Sequence, residues 1–167
     1  GKVKCFYGNF LVALRAAVYI DTLGAEGIKD AAQKAVLNAN YLMEGLKEFY
    51  PVAYDRVCMH EFVLTLENLK HEKGVSAMDV AKAMLDYGIH PPTMYFPLIV
   101  HEDLMFEPTE TETKETLDEA IRVLGEIRQI AEKDAQSLHE APHKTIIGRV
   151  DEVRAARQPV LKYAFND

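Results

Sequence analysis

Two proline-bounded stretches hold the polar side chains best placed to build a site. The first is Asp86-Tyr87-Gly88-Ile89-His90-Pro91-Pro92-Thr93, which leads into Met94-Tyr95-Phe96-Pro97-Leu98-Ile99-Val100. The second is Leu104-Met105-Phe106-Glu107-Pro108-Thr109-Glu110-Thr111-Glu112. Proline fixes φ and lacks an amide donor, so both stretches are rigid connectors at strand edges, not helix or ladder interiors. Site residues concentrate on such loops. His90, with Thr93 and Tyr95 just beyond it, is the imidazole candidate. Glu107 ends an apolar strand and precedes Pro108, which makes it the first carboxylate to consider, with Thr109 beside it. Glu110 and Glu112 are placed to complement the positive end of a following helix.

Other motifs carry less chemistry. His139-Glu140-Ala141-Pro142-His143 spells a zinc-binding H-E-x-x-H, but that site needs both histidines one turn apart on a continuous helix. Pro142 opposes that turn, so a helix terminus is the expectation and no metal site is assigned. His60 and Glu61 open a strand and point to opposite faces, so at most one can line a pocket, and a buried, hydrogen-bonded His60 is expected. Tyr7-Gly8-Asn9 precedes a helix, where a glycine turn can bind an anion such as phosphate or simply cap. Cys58 has no partner motif and reads as an inert thiol. Arg15, Arg56, Arg149, Arg154 and Arg157 could each grip a carboxylate, and spacing selects none of them.

The elements that must position these residues follow from periodicity. Asn9 or Gly8 caps a helix from Phe10 with Leu11, Leu14 and Val18 on one stripe, ended by Gly24. A second helix covers Ala25 to Tyr50 and stops at Pro51. His60 to Leu66 reads as a strand, and Lys70 to Gly74 as a charged connector. Ser76 and Asp79 form a capping box for a helix closed by Gly88. Thr93 to Val100 and Leu104 to Phe106 read as strands. Thr111 or Thr113 opens a long helix to about Ala135, striped by Leu117, Ile121, Leu124, Ile127 and Ile130. A short helical patch falls near Asp151 to Arg157. The fold class is α/β of the α+β type: long N-terminal helices, then a small, mainly antiparallel sheet with helices on one face. The divisions are a helical segment 1–50, a small α/β domain 51–141 and a tail 142–167.

The chain has 167 residues, 49% hydrophobic and 27% charged, which suits one soluble domain with a real core. A formal charge of −7 offers no basic face for nucleic acid. The apolar run from Tyr95 to Val100 is far short of the ~20 residues that span a bilayer. Two isolated cysteines, Cys5 and Cys58, point to a reducing, cytoplasmic setting. The chain opens without Met inside structured-looking sequence, as a cut piece of a longer protein would.

Read together, the blocks resemble the C-terminal region of the glycine cleavage system P-protein family, and most closely the second subunit of its two-subunit bacterial form. The blocks are Phe6-Tyr7-Gly8-Asn9-Phe10, Ala35-Val36-Leu37-Asn38-Ala39-Asn40-Tyr41-Leu42, Tyr54-Asp55-Arg56 and Cys58-Met59-His60-Glu61-Phe62. They continue through Asp79-Val80-Ala81-Lys82, the His90 and Glu107 stretches, Lys114-Glu115-Thr116-Leu117-Asp118 and Asp151-Glu152-Val153-Arg154-Ala155-Ala156-Arg157. The resemblance implies the small domain of a pyridoxal-phosphate enzyme of the aspartate-aminotransferase-like fold. Such an enzyme decarboxylates glycine and passes the aminomethyl group to the lipoyl arm of H protein, alongside a subunit 1 partner. The lysine that carries pyridoxal phosphate lies upstream in that family, so no catalytic residue is assigned in this segment and no stable cofactor binding is expected of it alone. His90, Thr93, Glu107 and Thr109 are the expected cleft-lining residues. Tyr7, Gly8 and Asn9 are the weaker cofactor-binding candidates. The competing expectation is a non-catalytic docking module for subunit assembly.

Overall fold

Asn9 starts the first helix as its sequence predicts: the side-chain oxygen accepts from the Val12 amide at 3.3 Å. In this computed structural model, which describes residues 8–163 and 165, that helix is α1 (Phe10–Leu46). Gly24 breaks it at φ 62° and ψ −177°, so two helical segments meet at the predicted glycine. Only the second segment reaches the core, through Ala39, Leu42, Met43 and Leu46. Phe10, Leu11, Leu14 and Val18 on the first are exposed.

The chain continues with β1 (Phe62–Thr65), α2 (Glu67–Lys73), α3 (Ala77–Leu85), β2 (Thr93–Met94), β3 (Asp103–Phe106), α4 (Lys114–Lys133), α5 (Ala135–Glu140) and α6 (Glu152–Arg157). The three strands form one antiparallel sheet in the order β1-β3-β2. Phe62 pairs with Phe106 and Leu64 with Leu104. These four residues share one face and lie in the core with Leu42, Leu46, Val80 and Leu124. The two phenyl rings stack at 5.5 Å. Val63, Met105 and Thr93 occupy the opposite face. The helices therefore cover one face of a small antiparallel sheet, as the residue order implies.

Three local expectations change. The stretch Lys70 to Gly74 is not a connector but the second half of α2, closed by left-handed Gly74 at φ 76°. The strand expected over Thr93 to Val100 stops at Met94, because Tyr95 adopts φ 58° and turns the chain out of the sheet. Leu98 and Ile99 are consequently exposed rather than laddered. The long helix, capped by Thr113, ends at Lys133; Asp134 then caps a separate α5 by accepting from Ser137 at 3.2 Å.

α1 and α4 make the central helix contact, and two glycines allow it. A Cβ on Gly125 would stand 2.9 Å from the Phe49 ring at the end of the α1 segment. A Cβ on Gly45 would collide with the Ile121 side chain of α4. Each helix thus offers a flat spot to a large residue from across the interface. Tyr50 closes the contact, donating its buried hydroxyl to the Leu124 carbonyl at 3.0 Å. Gly125→Val should lower stability by about 1–3 kcal/mol through overpacking. Thermal melts of the chain check this, and an unchanged midpoint would mean that the interface has room to spare.

Asp103 is the anomaly of the core. It is 0% exposed, and neither carboxylate oxygen has a hydrogen-bond partner. Burial pushes its carboxyl above the ordinary carboxylate range. Its protonated form is therefore the one the fold prefers. Its contribution is fully present below the ordinary aspartate value, about 3.9, and is lost as pH rises through the higher folded value. Asp103→Asn should raise the melting temperature at neutral pH. The gap over the wild type should close on acidification, and a gap that does not depend on pH would contradict this account.

Candidate functional site

Strand direction gathers the predicted residues at one end of the sheet. β1 and β2 begin where β3 finishes, because both are antiparallel to it. His60 and Glu61 precede β1, His90 to Pro92 precede β2, and Glu107 follows β3. Thr93 is the Cα partner of Met105, two residues before Glu107. The His60 Nε2 atom lies 3.9 Å from Glu107 Oε1 and 4.0 Å from Glu61 Oε2. All three side chains are about half exposed. The buried His60 that the sequence predicts is thus an exposed one, because the strand begins only at Phe62.

His90 owes its place to the end of α3. Gly88 takes φ 73°, and the Ile89 amide crosses it to donate to the Met84 carbonyl at 3.2 Å. The imidazole is exposed, with Pro91 and Pro92 half-buried behind it. Thr93 is also exposed. Thr109 differs: its hydroxyl shares a hydrogen bond with the Thr111 hydroxyl at 2.7 Å, and its carbonyl accepts from Asn38 of α1 at 2.9 Å. Gly8 and Asn9 are exposed at the far tip of α1, where Asn9 acts as a cap. Tyr7 lies outside the described residues. The hydrogen bonds of Asn9 run to the amides of Val12 and Ala13 in its own helix.

Two polar clusters join residues far apart in the chain. The first is centred on Asp79, which is 4% exposed. Its carboxylate accepts from Ser76 N (2.9 Å) and Oγ (2.6 Å) and from Arg149 Nη2 (2.7 Å), with His139 Nδ1 at 3.2 Å. Burial alone would raise its pKa. The Ser76 hydrogen bonds and the Arg149 charge outweigh burial and hold the carboxyl below its usual range. His139 and Arg149 are thus both engaged by the Asp79 carboxylate. α5 stops at Glu140, so no helix carries His139 and His143 one turn apart. His143 instead donates its amide to Asp86, as does Lys144 at 2.6 Å, and these bonds root the tail on α3. The second cluster is Asn38 and Asn40 on α1, which bond the loops after β3 and before β1. The hint for it was Asn-Ala-Asn inside a helix whose stripe needs neither asparagine.

Asp79 helps stability above the ordinary aspartate value, and the help is lost as pH falls through its lower folded value. Arg149→Ala removes the charge that keeps the buried carboxylate ionised. It should cost about 1–3 kcal/mol at neutral pH and move acid unfolding to higher pH. An acid titration followed by circular dichroism checks the direction. Coincident wild-type and variant curves would show that Ser76 alone suffices.

Comparison with known proteins gives a consistent result. Residues 31–146 match the family model "Glycine dehydrogenase, C-terminal domain". The chain is 61% identical over 163 residues to the probable glycine dehydrogenase (decarboxylating) subunit 2 of Treponema denticola, covering 98% of this chain and 34% of that protein. It is 53% identical over 167 residues to the protein of the same description from Thermosipho melanesiensis, covering 100% of this chain and 35% of that one. The chain spans about a third of the length of these relatives. A solved structure of glycine decarboxylase (P-protein) of the glycine cleavage system, in inhibitor-bound form, superposes with a TM-score of 0.62. The sequence identity is 25%, over 76% of this chain and 28% of that one.

Proposed function

Given that this chain belongs to the glycine dehydrogenase C-terminal domain family, we propose that it forms the small-domain wall of a glycine-decarboxylating P-protein site. The observation that carries this reading is the gathering of His90, Thr93 and Glu107 at one end of a sheet whose core face is packed by the second segment of α1 and by α3 and α4. Such an end can close over a ligand without disturbing the core. Family membership favours this role over that of a non-catalytic docking module.

The residues present fit one wall of a pyridoxal-phosphate site, not the whole seat. The residues named at this end, His60, Glu61, His90, Thr93 and Glu107, offer imidazoles, a hydroxyl and carboxylates, and none of these is a lysine to take the cofactor aldehyde. The cofactor would rest on the part of the longer relatives that this chain does not span, with residues 1–50 as the link, 51–141 as the wall and 142–167 as the tail. When bound, it withdraws electrons from the carbanion left as carbon dioxide departs. His90 and Thr93 would orient glycine and exclude water, with Glu107 and Thr109 behind them. Subunit 1 and the lipoyl arm of H protein would complete the reaction, in the cytoplasm. Among the described residues, no helix is long and apolar enough to cross a membrane.

His90 is exposed and outside the core, so its removal should leave the fold intact. In a full-length subunit carrying this chain as its C-terminal third, His90→Ala should lower glycine turnover about tenfold or more, as loss of a positioning contact does. Steady-state rates set beside a melt of the same variant decide the matter. Unchanged kinetics would remove His90 from the site.

A further inference from the structure

Asn38 and Asn40 lie outside the buried stripe of α1, and each is spent on a different loop. Asn40 Nδ2 donates to the Cys58 carbonyl at 2.8 Å, and its Oδ1 accepts from the Cys58 amide at 3.0 Å. One side chain thereby satisfies both backbone groups of a residue that has no strand partner, as a neighbouring strand would. The same Nδ2 also donates to Val36 O at 2.8 Å, which fixes the rotamer within the helix. Asn38 Nδ2 donates to Thr109 O at 2.9 Å and to Glu112 O at 3.1 Å. Cys58 stands two residues before His60, and Thr109 two residues after Glu107. The two loops so held flank His60 and Glu107, whose side chains approach to 3.9 Å just beyond the Phe62–Phe106 pair.

We propose that Asn38 and Asn40 are positioning residues that set His60 against Glu107 from a single turn of α1. The chemistry selects asparagine at both positions. Aspartate would lack the donors that meet the Cys58, Thr109 and Glu112 carbonyls, and alanine would remove the side-chain partner of the Cys58 amide and carbonyl and of the Thr109 and Glu112 carbonyls, leaving Thr109 only its bond from the Glu112 amide. Asparagine is also a poorer helix former than alanine, so its presence twice in an interior turn is explained by these contacts and not by the helix. Adjacent Tyr41 extends the pattern by bonding Asp118 at the start of α4. Movement of this turn relative to the sheet would displace both members of the His60–Glu107 pair together.

The inference rests on the reading of the sheet end as a site wall, but its test does not use turnover. Amide exchange and imidazole resonances are followed by NMR in the 167-residue chain, in Asn40→Ala, Asn40→Asp and Asn38→Ala. Leu42→Ala, buried on the same helix, serves as a control for general destabilisation. Asn40→Ala should speed exchange of the Cys58 amide about tenfold, the factor expected for one net hydrogen bond. It should also shift the His60 ring signals and leave the amides around Thr109 to Glu112 in place. Asn40→Asp keeps the acceptor, so the Cys58 amide should stay slow while His60 still moves. Asn38→Ala should give the complementary pattern, at Glu107 to Thr113. An unmoved His60 ring in both Asn40 variants would overturn the proposal. So would the same loop-confined pattern in Leu42→Ala. Failure of His90→Ala to slow the full enzyme would instead refute the site reading and leave this linkage standing.

Discussion

The close approach of α1 to α4 is the constraint on which the other contacts depend. Gly45 and Gly125 leave no side chain between the helices, so Ile121 and Phe49 fill the space from opposite sides. Packing of this kind admits little slack, because protein interiors are as dense as organic crystals. It fixes the rotation of α1 about its own axis. That rotation decides where the residues off the stripe point. Asn38 meets the loop after β3, Asn40 meets the loop before β1, and Tyr41 meets Asp118. An α1 turned by one residue, about 100°, would carry its apolar stripe out of the core and lose all three contacts with it.

The sheet contributes direction more than stability. With four residues in β1, two in β2 and four in β3, it is small. It is held through one face, where Phe62, Leu64, Leu104 and Phe106 join the core. Its value to a site lies in its topology: an antiparallel order brings two strand starts and one strand end together. Connectors from three parts of the chain meet there, each stiffened by its own device. Asn40 holds one, Gly88 with two prolines holds the second, and Asn38 with Pro108 holds the third. None needs a long-range salt bridge, and the tail is latched elsewhere by Asp86 and Arg149.

Much of this was legible in the sequence because the signals are local. Caps at Asn9, Ser76 and Thr113, the break at Gly24 and the stripe of α4 depend on residues within one or two turns. The failures are equally physical. Tyr95 in the left-handed region is not a propensity, so an apolar run after Thr93 looked like a strand. The α2 sequence is charged because α2 is short and largely exposed, anchored by Leu69 alone. The Asp79–Arg149 pair joins residues seventy apart. No periodicity announces such a pair, and the capping role of Asp79 fully accounted for it in sequence. The blocks that carry the family resemblance proved informative in another way. Asn38-Ala39-Asn40 gave no chemistry as letters and became the clamp once the fold was known.

Burial and exposure divide the chain in a way that bears on how a site could be shared. The buried hydrophobic residues run from Ala39 to Ala141, inside the span that matches the family model. Large apolar side chains at Phe10 to Ile20 and at Ile147 to Phe165 stand exposed on either side of it. The core therefore satisfies itself without the flanks. His90, Thr93 and Glu107 border that core and are exposed, each held by backbone geometry and not by side-chain packing. Residues fixed by their backbone keep their place whether or not a second wall is present. They add little to stability when exposed, so they are free to be chosen for the ligand. On the proposed reading, a wall held in this way would be preorganised before a ligand or an opposite wall meets it, which would reduce the ordering cost. The clamp at Asn38 and Asn40 is what extends that preorganisation from the backbone of α1 to the loops at the sheet end.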